Sequence, residues 1–179
     1  ESRVAIHYRS NVTPPATNPT WTLRWRVWGG TAWSADSTHT PNTGSPVRWV
    51  RVAYNPVDTK YYERIAVSLS DDGYLDAYVN TKTAWVVTNN IASVGTTANA
   101  YRAFDVAYEK TSGKAILVYA IDSANTAQDL AYRTWDGATW SAVSYIDDGG
   151  HATDIQYSWV ALASKPTSGS NEIALIAID

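Results

Sequence analysis

Apolar residues recur along the chain in short runs of five to eight positions, which either alternate with polar residues or are continuously apolar. The runs are rich in Val, Ile, Tyr and Trp and are bounded by Gly, Asn, Asp, Ser and Pro. Both patterns are typical of β-strands joined by turns, and no run has the 3.6-residue period of an amphipathic helix. The pattern therefore predicts an all-β protein.

Three kinds of strand segment repeat, and we name them elements A, B and C. Element B is always followed by a return strand, B′. Element A occurs at residues 3–6, 64–67, 114–117 and 172–175, B with B′ at 23–33, 75–85 and 130–140, and C at 49–54, 103–108 and 159–164.

The spacing of these elements is typical of β-propeller blades. Copies of B begin 52 and 55 residues apart, and copies of C begin 54 and 56 residues apart. Turn-forming pairs such as Asp72-Gly73, Asp136-Gly137 and Ser112-Gly113 join the elements. We therefore expect antiparallel meanders in the order C, A, B, B′, as about three propeller-like units of roughly 50 residues. A two-layer β-sandwich or jelly roll is the alternative, because three blades are fewer than in a normal closed propeller.

The elements do not begin and end in phase. The chain starts with A, B and B′ and ends with C and A. If the first B and B′ complete the last unit, the A element at the N-terminus is not part of any unit. This divides the chain into a donor-like strand at residues 1–10, a proline-rich spacer at 11–20 and a β-repeat body at 21–179. Within the first strand, Val4, Ile6 and Tyr8 alternate with polar residues, as in a half-buried strand.

The last strand is apolar on both faces, which is typical of a central strand. Its residues Ile173, Leu175, Ile176 and Ile178 are the predicted acceptor for the surplus strand of a neighbouring copy, because a flat apolar edge is normally covered. Such a head-to-tail contact propagates into a filament. Two alternatives are an N-terminal strand that folds back onto its own chain and a sequence that is a fragment.

Charge and composition exclude several classes of partner. The formal net charge is −3, from 14 Lys and Arg against 17 Asp and Glu, and no basic block suggests nucleic-acid binding. The longest apolar run, 173–178, is too short for a membrane span. Cys and Met are absent and the first residue is Glu, which favours a processed, extracellular or cell-surface protein.

Candidate catalytic groups are scarce. The three histidines lack metal-binding spacing, and no cysteine, nucleophile elbow or phosphate loop is present. Most acidic residues lie in predicted turns, where they cap the backbone. We therefore expect a protein that is not an enzyme and needs no cofactor or metal.

Two features suggest carbohydrate. The residues Trp28, Trp33, Trp135 and Trp140 of the B hairpins are candidates for stacking against sugars, although packing between neighbouring sheets is favoured because the residues between them differ among the copies. Asn11 begins the only glycosylation sequon, Asn11-Val12-Thr13, so covalent glycans are a second candidate.

Segments 101–120, 132–142 and 170–179, which include YRAFDVAYEKTSGK, YRTWDGATW and EIALIAID, resemble repeat proteins of bacterial and archaeal cell surfaces. The resemblance covers nearly everything from Trp21 onward and implies an extracellular β-repeat that assembles into fibres. A type IV pilin would begin with a long apolar helix, which is missing here. The Asp136-Gly137 turn is also similar to the Asp box of sialidase propellers, but it is replaced by Gly29-Gly30 and Thr81-Lys82 in the other copies.

Together these patterns predict a structural subunit of an extracellular filament, whose partners are copies of itself. Assembly is expected to occur head to tail, by exchange of the N-terminal strand into the neighbouring subunit. The alternative function is a carbohydrate-binding, lectin-like propeller module.

Overall fold

A computed structural model describes residues 4–9, 23–39, 45–95, 101–121, 128–147, 156–167 and 169–179. These ranges contain thirteen strands in antiparallel sheets and a short 3-10 turn at Asp58–Lys60. The prediction of an all-β protein is confirmed. In the same ranges, no helical segment has the length and apolar character that a membrane crossing requires.

The strands form four sheets, numbered in chain order. Sheet I has the order β1 (Val4–Arg9), β2 (Leu23–Trp28) and β3 (Ser37–His39). Sheet II has the order β4 (Val47–Tyr54), β5 (Arg64–Ser70), β6 (Tyr74–Asn80) and β7 (Trp85–Ser93). Sheet III has the order β8 (Phe104–Tyr108), β9 (Ala115–Ala120), β10 (Leu130–Trp135) and β11 (Ser144–Ile146), and sheet IV pairs β12 (Trp159–Ser164) with β13 (Ile173–Ile178).

Sheets II and III both follow the predicted strand order C, A, B, B′. Their sequences favour this meander because several of the described turns contain a glycine with positive φ. Gly73, for example, has φ +83°, and a Cβ at this position would lie 2.5 Å from the carbonyl oxygen of Gly95. Sheet I contains A, B and B′, and sheet IV contains C and A.

The second copy of element A, at 64–67, is shifted by one residue relative to the other copies when the strand pairing is compared. At the turn between C and A, Asn55 N donates to Glu63 O, and Lys165 N donates to Glu172 O at the corresponding turn of sheet IV. Glu63, and not Arg64, is therefore equivalent to Glu172. Glu63 is buried, whereas the equivalent Lys114 and Glu172 are exposed, so the equivalence is not evident from residue type.

The sheets pack face to face in chain order. All seven residues of β5 are buried, because the strand lies between two neighbouring sheets. Its residues Ile65, Val67 and Leu69 join a large apolar cluster that continues through sheet III to Val160 of sheet IV. On its other side, Ala66 joins a much smaller cluster with Tyr78 and with Leu23 of sheet I. Among the residues whose burial is described, the apolar contact between sheets I and II is therefore smaller than that between sheets II and III.

Candidate assembly interface

The predicted donor strand lies on its own chain in the described structure. The backbone of β1 pairs with β2 along six residues, with Val4 opposite Trp28, Ile6 opposite Arg26 and Tyr8 opposite Arg24. It thus takes the position beside element B that β5 takes beside β6. This is the fold-back arrangement that the sequence left open. The spacer at 11–20, including the glycosylation candidate Asn11, lies outside the described residues.

The predicted acceptor strand, β13, has an open outer edge. It pairs with β12 on one side, and no described strand pairs with it on the other. Lys165 N donates to Glu172 O, and backbone groups alternate in direction along an antiparallel strand. The N–H groups of Ile173, Leu175 and Ala177 therefore point away from β12 toward the open side.

The side chains of β13 are more exposed than its sequence suggests. Ile176 is 62% exposed, Ile178 53% and Leu175 36%, while Ile173 is partly buried. All four predicted acceptor residues thus lie on one strand at a sheet edge, although their apolar pattern is typical of a central strand. Such an edge is a ready template for another strand.

The opposite edge of sheet IV is closed by sheet III. Val160 N donates to Arg102 O at 3.1 Å, and Leu162 N donates to the Asp105 carboxylate at 2.9 Å. Ser164 Oγ also donates to the carbonyl oxygen of Tyr108. Because these bonds use the free side of β12, the open edge of the sheet is that of β13.

Asp105 ties three sheets together. Its buried carboxylate accepts hydrogen bonds from Arg51 of sheet II, at 2.6 Å from Nε and 3.1 Å from Nη2, as well as from Leu162 N of sheet IV. Arg102 Nη1 lies 3.3 Å away. Burial lowers the pKa of Arg102, and its guanidinium carbon lies 4.2 Å from the centre of the Trp159 ring. This network fixes the position of β12, and hence of β13.

A second buried carboxylate, Glu63, joins a loop to sheet III. Its Oε1 accepts hydrogen bonds from Asn55 Nδ2 at 2.9 Å and from the Tyr108 hydroxyl at 3.0 Å. Burial and the nearby Glu63 charge raise the pKa of Tyr108. Both residues are buried, at 4% and 2% exposed, and their hydrogen bond links the loop after β4 to sheet III. Nothing local in the sequence distinguishes Glu63 and Asp105 from solvated acidic residues, so their buried contacts are not predictable from it.

The tryptophans proposed for sugar stacking form two similar pairs. The ring centres of Trp28 and Trp33 are 5.4 Å apart with an interplanar angle of 55°, and those of Trp135 and Trp140 are 5.5 Å apart at 53°. Trp135 is only 1% exposed and belongs to the large core cluster. Trp33 is 43% exposed, so of these four side chains it offers the most accessible ring.

An aromatic cluster attaches sheet I to sheet II. The Arg64 guanidinium contacts two rings, at 5.3 Å from the centre of Trp25 and 5.1 Å from that of Trp85, and the two ring centres are 5.2 Å apart. His39 stacks on Tyr78 at 4.8 Å and meets the Trp85 ring edge to face. Burial lowers the pKa of His39. Arg64 is only 9% exposed in this cluster, so its charge is largely shielded from solvent.

Two further arrangements were candidates for chemistry. Within the described ranges, no three His, Asp or Glu side chains are grouped closely enough to hold a metal ion. An open cleft lies between the ends of β4, β8 and β12, with Lys110 and Lys165 at its rim. Lys110 Nζ donates to Pro166 O, and Lys165 is paired with Glu172. Both amines are engaged, so the cleft presents no free cation to an anionic ligand.

No protein-family model, curated protein or solved structure matches this chain. The edge of β13 that no described strand covers is the most distinctive feature of the described residues.

Proposed function

We propose that the protein is a structural subunit of an extracellular filament in which copies join head to tail. The N-terminal strand β1 of one copy pairs with β13 of the next. The observation that carries this proposal is the outer edge of β13, where the N–H groups of Ile173, Leu175 and Ala177 are directed to the open side and neighbouring side chains are apolar and exposed.

This edge lacks the features that keep edge strands from associating. Native edges usually carry Lys, Pro or a β-bulge. The strand Ile173–Ile178 contains no charged residue and no proline. Its pairing with β12 is regular over six residue pairs, from Trp159 and Ile178 to Ser164 and Ile173. The edge is therefore suited to accept a further strand.

The sheets at the two ends supply complementary edges. We propose that the four sheets are successive blades of an open, propeller-like array. Among the described strands, none takes the place of C on the outer side of β1, and none takes the places of B and B′ on the outer side of β13. Pairing these edges between copies joins two different surfaces. Such a heterologous contact repeats indefinitely unless its rotation closes a ring.

The pairing of β1 with β2 bears on how the strand reaches its neighbour. Exchange breaks this six-residue ladder, roughly six hydrogen bonds at about 0.5 to 1.5 kcal/mol each. It also exposes the edge of β2 while it covers that of β13. Adding the outer edge of β1 to β13 gains a ladder and loses none. Strand addition with β1 still on β2 is therefore the favoured route to the same head-to-tail contact.

A proline substitution tests the contact. Leu175→Pro removes a donor on the open side and keeps the bonds to β12, and proline is tolerated at such edge positions. The matched control Leu175→Ala shortens the same side chain but retains the N–H. By electron microscopy and size-exclusion chromatography, we expect filaments from the wild type and the control, and folded monomers from Leu175→Pro. A monomeric wild type, or Leu175→Pro filaments like those of the wild type, would overturn the proposal.

The route can be tested separately because the chain has no cysteine. Ala5 and Val27 are directly paired, so the double variant Ala5→Cys/Val27→Cys can form a disulfide that holds β1 on β2. Strand addition predicts that the oxidised variant still polymerises. Exchange predicts that oxidation prevents polymerisation and reduction restores it.

The exposed Trp33 ring is the observation that favours the alternative, a carbohydrate-binding module. Deletion of residues 1–10 separates the two functions. The filament proposal predicts loss of the polymer with a folded body, whereas a lectin keeps its glycan binding. Glycan-array binding by the wild type that is lost in Trp33→Ala would support the alternative.

A further inference from the structure

The outer face of sheet IV is entirely apolar. The cross-strand pairs Trp159 with Ile178, Ala161 with Ile176 and Ala163 with Ala174 each share one face of the sheet. The opposite face packs on sheet III through Val160 and Leu162. The six residues of these three pairs are called the outer face of sheet IV: Trp159, Ala161, Ala163, Ala174, Ile176 and Ile178.

The equivalent face of sheet II is buried against another sheet. There Trp49 pairs with Leu69 and Ala53 with Ile65, at the positions that Trp159, Ile178, Ala163 and Ala174 occupy in sheet IV. Ile65 and Leu69 are fully buried because sheet III covers them. The outer face of sheet IV thus has the composition of an inter-sheet surface. Trp159 is partly covered by Arg102 and Trp49, whereas Ile176 is 62% exposed and Ile178 53%.

The chemistry of the other end of the molecule limits what can cover this face. Leu23 and Trp25 of β2 contact sheet II, so the alternating residues Arg24 and Arg26 lie on the side away from it. Both arginines form ion pairs with Asp36. Packing Arg24 and Arg26 on Ile176 and its neighbours would desolvate these ions without replacing their water. A head-to-tail partner is therefore less suited to this face than a second uncharged face.

The outer face itself carries no charge and is its own best complement. We propose that the outer faces of sheet IV from two copies pack against each other about a two-fold axis. The contact is isologous, so it pairs molecules and does not extend a chain. The Trp159 ring is already held by Arg102 and by an edge-to-face contact with Trp49, and a fixed ring is suited to anchor an interface.

The area of the outer face determines whether one such contact is strong enough to hold two molecules together. Two six-residue strands span roughly 20 Å by 10 Å, or about 200 Å². A stable complex buries about 800 Å² on each partner, so one such contact is weak. Repeated along two filaments, the same contact becomes strong through multivalency. Resting on the proposed function, this inference assigns the outer face to the lateral pairing of two filaments.

A double substitution isolates the face from the edge. Ile176→Thr/Ile178→Thr makes the face polar while it keeps β-branched side chains, and both N–H groups are directed to β12. The matched control Val86→Thr/Val87→Thr changes two exposed valines of sheet II. By electron microscopy, we expect paired filaments from the wild type and the control, and single filaments of about half the width from the double variant.

The outcomes separate this inference from the proposed function. Wild-type filaments that are single, or a double variant that stays paired, would overturn lateral pairing and leave the proposed function intact. Loss of all filaments in the double variant would also overturn it, because face and edge would then belong to one contact. If the wild type forms no filament, the proposed function fails. In that case sedimentation at high concentration decides: a dimer that the double variant abolishes supports the contact, and a monomer refutes it.

Discussion

Removal of the Asp105 carboxylate should destabilise the protein more than the loss of any other ion pair among the described residues. In Asp105→Ala, Leu162 N loses its acceptor and the two arginines lose their counter-ion. Arg51 is partly exposed and can turn to solvent, whereas the Arg102 side chain is only 10% exposed. Breaking one side of a buried charge pair costs about 3 to 5 kcal/mol.

Two comparison variants give this magnitude a scale. Asp105→Asn keeps the size and one acceptor oxygen, so the expected loss is about 1.5 to 3 kcal/mol. Asp71→Ala removes the partner of Arg48 at an exposed pair, and such pairs contribute about 0 to 1 kcal/mol. The order of destabilisation should therefore be Asp105→Ala, then Asp105→Asn, then Asp71→Ala.

Urea denaturation followed by tryptophan fluorescence measures these differences in the free energy of unfolding. Trp159 lies against Arg102, so its emission also reports on the junction of sheets III and IV. An Asp105→Ala variant within about 1 kcal/mol of the wild type, or no less stable than Asp71→Ala, would contradict the reasoning, since a tie of this kind cannot cost so little to break.

Three other results are expected. Burial lowers the pKa of His39 below its ordinary 6.5, so the unfolded chain binds a proton more readily than the folded one. The free energy of unfolding should therefore be unaffected by His39 above about pH 6.5 and should decrease as the pH falls below that value. Urea midpoints at pH 7.5 and 5.0 check this, and His39→Phe should reduce the difference. Gly73→Ala should destabilise by more than about 1 kcal/mol, because φ is +83° and backbone lies where the methyl would go; thermal denaturation measures this. Trp135→Ala should cost about 3 to 5 kcal/mol because the ring is buried, while Trp33→Ala should cost much less, as paired urea titrations would show.

Local patterns in the sequence predict much of the fold. Turn pairs such as Asp136-Gly137 locate the B hairpins, and the repeating elements predict the strand order of sheets II and III. The sequence does not predict which strand β1 pairs with, because its alternating pattern suits an edge strand on any sheet. Arg51 and Asp105, 54 positions apart, meet only after the sheets have packed, so no local pattern predicts their contact.

The candidate interface is partly predictable from the sequence, because one of its strands has a distinctive local pattern. The apolar run at 173–178 identifies the strand, and the structure places it at an edge with three of its predicted acceptor residues exposed. Which edge is open depends on the bonds from Val160 N and Leu162 N to sheet III. Those bonds form only when the sheets pack together, so the pattern of a single strand does not predict them.

The small apolar contact between the described residues of sheets I and II implies that the protein does not open uniformly. Sheet I is attached by the cluster around Leu23 and by the rings that contact Arg64, whereas β5 is enclosed on both faces. Regions with little buried apolar surface open at lower free energy than the rest of a domain. Backbone amides of β2 should therefore exchange with deuterium through a partial opening that leaves sheets II and III intact.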